Sequence, residues 1–242
     1  MKIDTEQIIN ETLAIFERSG AADILRNFKN PISDQAYQHL HPRPLTPTNI
    51  TIDCLELNQA VTQYHDKFQQ WGTDHQHLPR YGLALVNQTG QLIDNDPING
   101  SIMAWNRDRP TQPLVELDCT TPTEVMQLPA LNPLRVFDGH WCRSNILKWH
   151  TGAFFYPHID ACSPLFLWIR LWAATSDGIQ LRFYNPNSQE LESVDYEPGR
   201  VYIIDTSLVH DALATGEDVL QLFLSVLPSA YDLLLARTQI TK

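Results

Sequence analysis

The sequence of 242 residues is long enough for one sizeable domain. With 43% hydrophobic and 19% charged residues, its composition is typical of a folded globular protein and not of a disordered chain. The formal net charge is −11, and Lys and Arg together number only 17. A nucleic-acid partner is therefore not expected, because proteins of that class usually carry a basic patch.

The segment Met1–Glu6 lacks the basic and apolar pattern of a signal peptide, and no apolar stretch approaches the roughly 18 residues of a membrane span. We therefore expect a cytoplasmic protein with no membrane partner. The cysteines are scattered and form no CxxC pair, so reduced thiols are expected at Cys54, Cys119, Cys142 and Cys162.

The first part of the chain has a helical character. Apolar residues at helical spacing predict a helix from Asp4 to Ser19, and a shorter helical piece follows around Ile24–Phe28. A connector rich in proline and histidine comes next, from His39 to Pro47. Further predicted elements are a strand Asn49–Leu57, a helix Asn58–Trp71, a strand Gly82–Val86, and a loop-rich stretch over residues 90–135 that could form a wall or lid of a site.

The last third of the chain is a run of short strands separated by turn signals such as Glu197-Pro198-Gly199. The predicted strands are Asn145–His150, Ala153–His158, Leu165–Ala173, Ile179–Tyr184, Glu192–Tyr196, Arg200–Ile204, Val209–Leu213 and Leu220–Leu227. Eight such strands indicate a mainly β fold with flanking helices, a jelly roll or cupin-like double-stranded β-helix. We expect one domain over residues 1–242, in which residues 1–140 support a jelly-roll core at 141–230.

A candidate metal site lies in the aromatic segment Phe154–Asp160. In extended backbone, residues i and i+2 face the same side, so His158 and Asp160 can offer a nitrogen and an oxygen to one point. His210, at the start of the seventh predicted strand, is the best third ligand, since strands two and seven can be neighbours in a jelly roll. Two histidines and one carboxylate form the facial triad that suits non-haem Fe(II) oxygenases.

Competing assignments exist for each of these residues. His158 could cap a strand, Asp160 could open a turn, and His210 could be a core-edge histidine bonded to a backbone carbonyl. His150 is the competing ligand and is expected to pack on the sheet. The other histidines are expected at the surface or in loops: His39, His41, His65, His75, His77 and His140.

From about Asn145 to Val226 the chain resembles the Fe(II)/2-oxoglutarate-dependent oxygenases, within them the aspartyl/asparaginyl β-hydroxylase-like group, which includes free-proline hydroxylases. The resemblance rests on four segments: His158–Asp160, Trp168–Trp172, Gly199–His210 and Leu220–Leu224. It implies that His158, Asp160 and His210 bind iron and that 2-oxoglutarate is the co-substrate.

The resemblance also places Arg170 where the family has an arginine that contacts 2-oxoglutarate near the metal. The family's arginine on the last strand, which holds the far carboxylate, has no counterpart here, and Gln221 stands near that position. Arg182, a second arginine within a strand, is a candidate replacement, as is Lys148. Tyr156, on the same strand face as His158, could line the pocket and bind a carboxylate.

The sequence therefore predicts a dioxygenase that hydroxylates an amino acid or a side chain of a peptide or protein, with no catalytic residues beyond the metal ligands. Two alternatives stay open. One is a cupin-type metalloenzyme that does not use 2-oxoglutarate, which the missing last-strand arginine motivates. The other is a non-catalytic barrel that binds a small molecule or a partner protein.

Overall fold

The computed structural model describes residues 3–18, 32–71, 80–92, 102, 105–106, 109, 111–160 and 167–238. The α-helices in these ranges are α1 Thr5–Arg18, α2 Asp34–Leu40, α3 Cys54–Ala60 and α4 Tyr231–Leu235. Short 3₁₀ helices occupy Val61–Lys67, Glu116–Asp118, Glu124–Gln127, Pro129–Phe137 and Pro228–Ala230. None of the helices in the described ranges combines the length and apolarity needed to cross a membrane.

The strands account for most of the regular structure. They are β1 Leu45–Thr51, β2 Gln69–Trp71, β3 Arg80–Asn87, β4 Thr121–Pro122, β5 Trp141–Trp149, β6 Phe154–His158, β7 Ile169–Ala174, β8 Ile179–Asn185, β9 Glu190–Ser193, β10 Arg200–Ile204, β11 His210–Ala214 and β12 Val219–Val226. All strand pairs are antiparallel, and they form two sheets.

The large sheet has the order β1-β10-β7-β12-β5-β3-β2, with β4 beside β3, and the small sheet has the order β6-β11-β8-β9. From β5 to β12 the chain alternates between the two sheets, except at the β8–β9 hairpin. This order of eight strands is a double-stranded β-helix, or jelly roll. The predicted order of eight strands is confirmed, although the fifth, predicted over Glu192–Tyr196, is Glu190–Ser193, and the first starts earlier, at Trp141. Strands β1, β2 and β3 extend the large sheet with residues from the first half of the chain.

The large sheet is buried on both faces. One face packs on helical segments through residues such as Leu57 and Leu134. The other face meets the small sheet, where Trp149 and Trp172 pack against Phe183. We call the space between the two sheets the barrel interior. Because the large sheet is covered on both faces, its strands are nearly continuous apolar runs in the sequence.

The N-terminal predictions are confirmed only in part. Helix α1 matches the predicted helix, and β3 matches the predicted strand Gly82–Val86. The second helical piece, at residues 24–28, lies outside the described residues. Helix α2 was not predicted. Ser33 is its N-cap residue: the Ser33 Oγ accepts a hydrogen bond from the Ala36 amide at 3.2 Å.

Three predictions in this part are wrong, wholly or in part: a strand, the connector before it and a helix. The strand predicted over Asn49–Leu57 starts earlier, as β1, and gives way to α3, because the Asp53 side chain caps a helix by accepting from the Glu56 amide at 2.9 Å. Pro47, assigned to a connector, is in β1, which is an edge strand where a missing N–H is tolerated. The helix predicted over Asn58–Trp71 ends at Ala60, continues as a 3₁₀ helix and closes with β2.

Candidate metal centre

The three predicted metal ligands converge at one end of the barrel interior. His158 ends β6 and is the direct partner of His210, which begins β11. Asp160 follows β6 by two residues, and its amide donates to the Thr206 carbonyl at 2.9 Å, which holds it beside the start of β11. One ligand atom from each of the three residues lies within 4.8 Å of the other two.

Backbone contacts set the tautomer of both histidines. Nδ1 of His158 lies 2.7 Å from the Tyr156 carbonyl oxygen, and Nδ1 of His210 lies 2.9 Å from the Leu208 carbonyl oxygen. A carbonyl only accepts, so each Nδ1 carries a proton and Nε2 is the atom available to a metal. Metal-binding imidazoles almost always donate their other ring N–H to a carbonyl or carboxylate in this way.

The charges around the group favour metal binding further. Burial, together with the neighbouring His210, lowers the pKa of His158 to about 3, so its imidazole is neutral near pH 7. Burial alone would raise the pKa of Asp160, but the charge of Arg170 and the two histidines outweigh it and hold that pKa below its usual range. The site thus offers two imidazoles and one carboxylate, a donor set that fits Fe(II).

Arg170 supports the carboxylate of this group. Its side chain is buried, with Nε 3.3 Å from Asp160 Oδ2 and Nη1 3.1 Å from Glu116 Oε2. Nη1 also contacts the Ser225 hydroxyl. Burial would lower the pKa of Arg170, yet the two carboxylates raise it, so the guanidinium stays charged.

Glu116 was not recognised from the sequence. It belongs to the loop-rich stretch predicted to form a wall or lid, and its carboxylate lies between two buried arginines, with Oε1 3.9 Å from Arg143 Nη1. Arg143 could have been recognised, because an arginine within an apolar strand indicates a buried charge. Arg143 lies in β5 in this way, as Arg170 does in β7. A glutamate in an irregular segment carries no such signal.

The remaining predicted co-substrate residues are placed differently. Gln221 is buried on β12, and its Oε1 has no hydrogen-bond partner in the part of the chain that the structure describes. The structure does not bring Arg182 to the metal ligands: it alternates with Phe183 on β8 and bonds Asp211 Oδ1 at 2.8 Å on the opposite face. Tyr156 is 51% exposed and does not enter the barrel interior.

The other sequence-based candidates are also located. Lys148 Nζ lies 3.1 Å and His150 Nδ1 2.9 Å from the two carboxylate oxygens of Asp218, away from the three ligands. His41, expected at the surface or in a loop, directly follows α2 but is not at the surface. It is buried against Tyr37, with ring centroids 3.9 Å apart, because α2 packs on the loop that precedes β11.

Strand order and donor set together define a double-stranded β-helix with a candidate two-histidine, one-carboxylate metal centre. No family model and no curated protein matches the chain. Among solved structures, it is similar to an oxidoreductase of the 2OG-Fe(II) oxygenase family from Burkholderia pseudomallei, at 13% identity and a TM-score of 0.44, over 82% of this chain and 92% of that chain.

Two further solved structures show likeness of the same degree. A prolyl-4-hydroxylase from Pseudomonas putida matches at 13% identity and a TM-score of 0.43, over 80% of this chain and 97% of that chain. OsALKBH1 matches at 11% identity and a TM-score of 0.44, over 75% and 97%. We assign the fold from the strand order and the chemistry of the site from its side chains.

Proposed function

We propose that the protein is an Fe(II)- and 2-oxoglutarate-dependent dioxygenase that hydroxylates an amino acid or a side chain of a peptide or protein. The observation that carries this proposal is the convergence of His158, Asp160 and His210, with both imidazoles in the ligating tautomer. When bound, iron with 2-oxoglutarate and dioxygen supplies the oxidation: one oxygen atom enters the substrate C–H bond, and the other enters succinate as carbon dioxide leaves.

The protein's own residues orient and shield this chemistry. The buried guanidinium of Arg170 fixes the Asp160 carboxylate. The centroid of the Phe223 ring lies 4.1 Å from Arg170 Cζ and covers the guanidinium. Arg170 already bonds Glu116 as well, so a contact with the co-substrate, as the family resemblance implies, requires Glu116 to withdraw. Aromatic rings exclude water around the group, with the Phe155 centroid 3.9 Å from that of His158.

The test of the proposal has two readouts. Binding of Fe(II), or of Mn(II) as a redox-stable substitute, is measured first by titration calorimetry. Succinate formation from 2-oxoglutarate with Fe(II) and ascorbate is measured next. His158→Ala and His210→Ala are expected to abolish both. His150→Ala is the matched control, because this half-exposed histidine follows β5 and forms its ion pair with Asp218, not with the three ligands. Intact metal binding by His158→Ala would refute the proposed centre.

A cupin-type metalloenzyme that does not use 2-oxoglutarate is the second candidate. The absence of any Lys or Arg from Val219 to Val226 favours it, because the family's last-strand arginine is missing there. If the wild-type protein binds the metal but does not bind 2-oxoglutarate at millimolar concentration, this alternative is supported. If it binds neither the metal nor 2-oxoglutarate, a non-catalytic barrel is supported.

A further inference from the structure

Arg80 differs from the other buried arginines. It begins β3, is only 3% exposed, and is the direct strand partner of Trp149. Its Cζ lies 4.9 Å from the Trp149 ring centroid and 4.1 Å from the Phe155 ring centroid. Burial lowers the pKa of Arg80 to about 10, and no carboxylate of the described residues offsets this.

The described parts of the chain contain three arginines with less than one-tenth of their surface exposed. Two of them, Arg143 and Arg170, share the carboxylate of Glu116. Arg80 has aromatic faces as its neighbours and no acidic partner among the described residues. A cation–π contact offsets part of the lost hydration, but a buried guanidinium without an anion is costly. Arg80 is therefore a candidate site for an anion that the described residues do not provide.

Arg80 is also close to the metal ligands. The Phe155 ring contacts both groups: its centroid is 4.1 Å from Arg80 Cζ and 3.9 Å from the His158 centroid. Arg80 Cζ therefore lies at most about 8 Å from the His158 centroid. A five-carbon dicarboxylate is long enough to connect two groups at that separation.

Two further polar groups face the same part of the barrel interior. Nε1 of Trp149 and Oε1 of Gln221 are buried and lack hydrogen-bond partners in the described ranges. Trp149 pairs with Val219, two residues before Gln221 on β12, so both side chains lie on one face of the large sheet. The Trp149 indole N–H can donate to a carboxylate, and the Gln221 side chain can do so after a rotation of its amide that exchanges Oε1 for Nε2. Buried polar groups left unpaired are expected to have a ligand.

We propose that Arg80, with the Trp149 indole and the Gln221 amide, binds the distal carboxylate of 2-oxoglutarate. This inference rests on the proposed function and assigns the contact that the last-strand arginine would otherwise make. The keto-acid end lies at His158, Asp160 and His210, and the distal end reaches Arg80 past Phe155. Neither Arg182 nor Lys148, the candidates taken from the sequence, faces this space, because each pairs with an aspartate on the other face of its sheet.

The test compares two ligands without turnover. Protein loaded with Mn(II) is titrated with 2-oxoglutarate and with 2-oxopentanoate, which keeps the keto acid but lacks the distal carboxylate. The wild type is expected to bind 2-oxoglutarate roughly tenfold or more tightly, the worth of a charge-assisted hydrogen-bonded pair. Arg80→Met is expected to remove this preference while leaving the affinity for 2-oxopentanoate unchanged. Arg80→Lys is expected to restore part of it.

Lys148→Met is the matched control, since it removes a cation from the neighbouring strand β5 on the opposite face of the sheet and should keep the wild-type preference. Thermal unfolding of each variant verifies folding, and Arg80→Met leaves no unpaired charge behind.

A preference that survives in Arg80→Met overturns the proposal, as does an equal loss of affinity for both ligands. Arg80→Met could instead weaken only the binding of an amino-acid substrate. In that case Arg80 binds the carboxylate of that substrate, and the proposal is wrong. Failure of the wild type to bind either keto acid refutes the proposed function itself.

Discussion

Arg170 Nε lies 3.3 Å from Asp160 Oδ2, so one buried guanidinium orients the only carboxylate of the candidate metal centre. The opposite side of this carboxylate faces His158, with Oδ1 3.8 Å from Nε2. The two oxygens of Asp160 therefore have different neighbours. One is held by Arg170, and the other is directed toward the imidazoles.

Asp160→Asn is expected to weaken metal binding by roughly 100-fold or more, because it removes the anionic ligand and also its contact with Arg170. The change keeps the side-chain volume, so the fold should persist. Calorimetric titration with Mn(II) measures the loss. Asp218→Asn, which alters an exposed carboxylate beside His150, serves as the control and should bind metal as the wild type does. Equal affinities of Asp160→Asn and wild type would rule out Asp160 as a ligand.

Glu116→Gln is expected to lower the free energy of unfolding by about 3 kcal/mol, because it neutralises a carboxylate shared by two buried arginines. Urea unfolding followed by fluorescence measures the change. Glu124→Gln is the control, since this exposed glutamate lies in the next 3₁₀ helix and should change stability by less than about 0.5 kcal/mol. Similar losses for the two variants would contradict the assignment of Glu116 to the buried ion cluster.

His41 predicts an acid-sensitive contribution to stability. Burial lowers its pKa below the ordinary 6.5, so the unfolded chain takes up a proton here at a higher pH than the folded chain does. The contribution is thus fully present above about pH 6.5 and is lost as the pH falls toward the folded-state pKa, by at most about 1.4 kcal/mol per pH unit.

The His41→Asn variant tests this, because its amide can still donate to the Tyr37 carbonyl, which lies 2.7 Å from His41 Nδ1, but does not titrate. Urea midpoints between pH 5 and pH 7.5 should fall less steeply for the variant than for the wild type. Parallel slopes would show that His41 takes up its proton equally in both states.

Gly199 is expected to tolerate alanine poorly. Its φ is +80°, and an added Cβ would lie 2.8 Å from the Ile52 carbonyl oxygen. Gly139 has a similar φ of +84° but nothing within 4 Å of the added atom. Gly139→Ala should therefore cost only the backbone strain, on the order of 1 kcal/mol, and Gly199→Ala clearly more. Thermal unfolding of the two variants measures the difference, and equal costs would mean that β10 and the Ile52 backbone separate easily.

The barrel strands could be predicted because local signals mark both their ends. The turn at Gly199 is one such signal: the glycine has a positive φ, and its amide donates to the Ala174 carbonyl at 2.8 Å. The pair His158 and Asp160 was also a local signal, since it follows from residue alternation on one strand, and His210 could be added because the strand order of a jelly roll makes their strands neighbours.

Other features could not be read from the sequence, because long-range contacts determine them. The bounds of β1 depend on its pairing with β10. This long-range pairing outweighs the weak local strand preference of residues 45–57. Glu116 gains its role from Arg170, 54 residues away, and its own segment shows no periodicity. Arg80 has no local mark either, since its distinguishing property is the absence of an acidic partner in the described fold.

The sheet order also bears on how the chain folds. β12 lies between β7 and β5, so within the described strands it alone joins the two halves of the large sheet. The small sheet, which holds both metal-binding histidines, is built entirely from residues 154–214, which are synthesised before Val219. We expect the β8–β9 hairpin to pair early, because its contacts are close in sequence, and β12, the last strand of the sheet to be synthesised, to insert last. The emerging chain thus completes its metal-binding sheet before it can close the barrel around it.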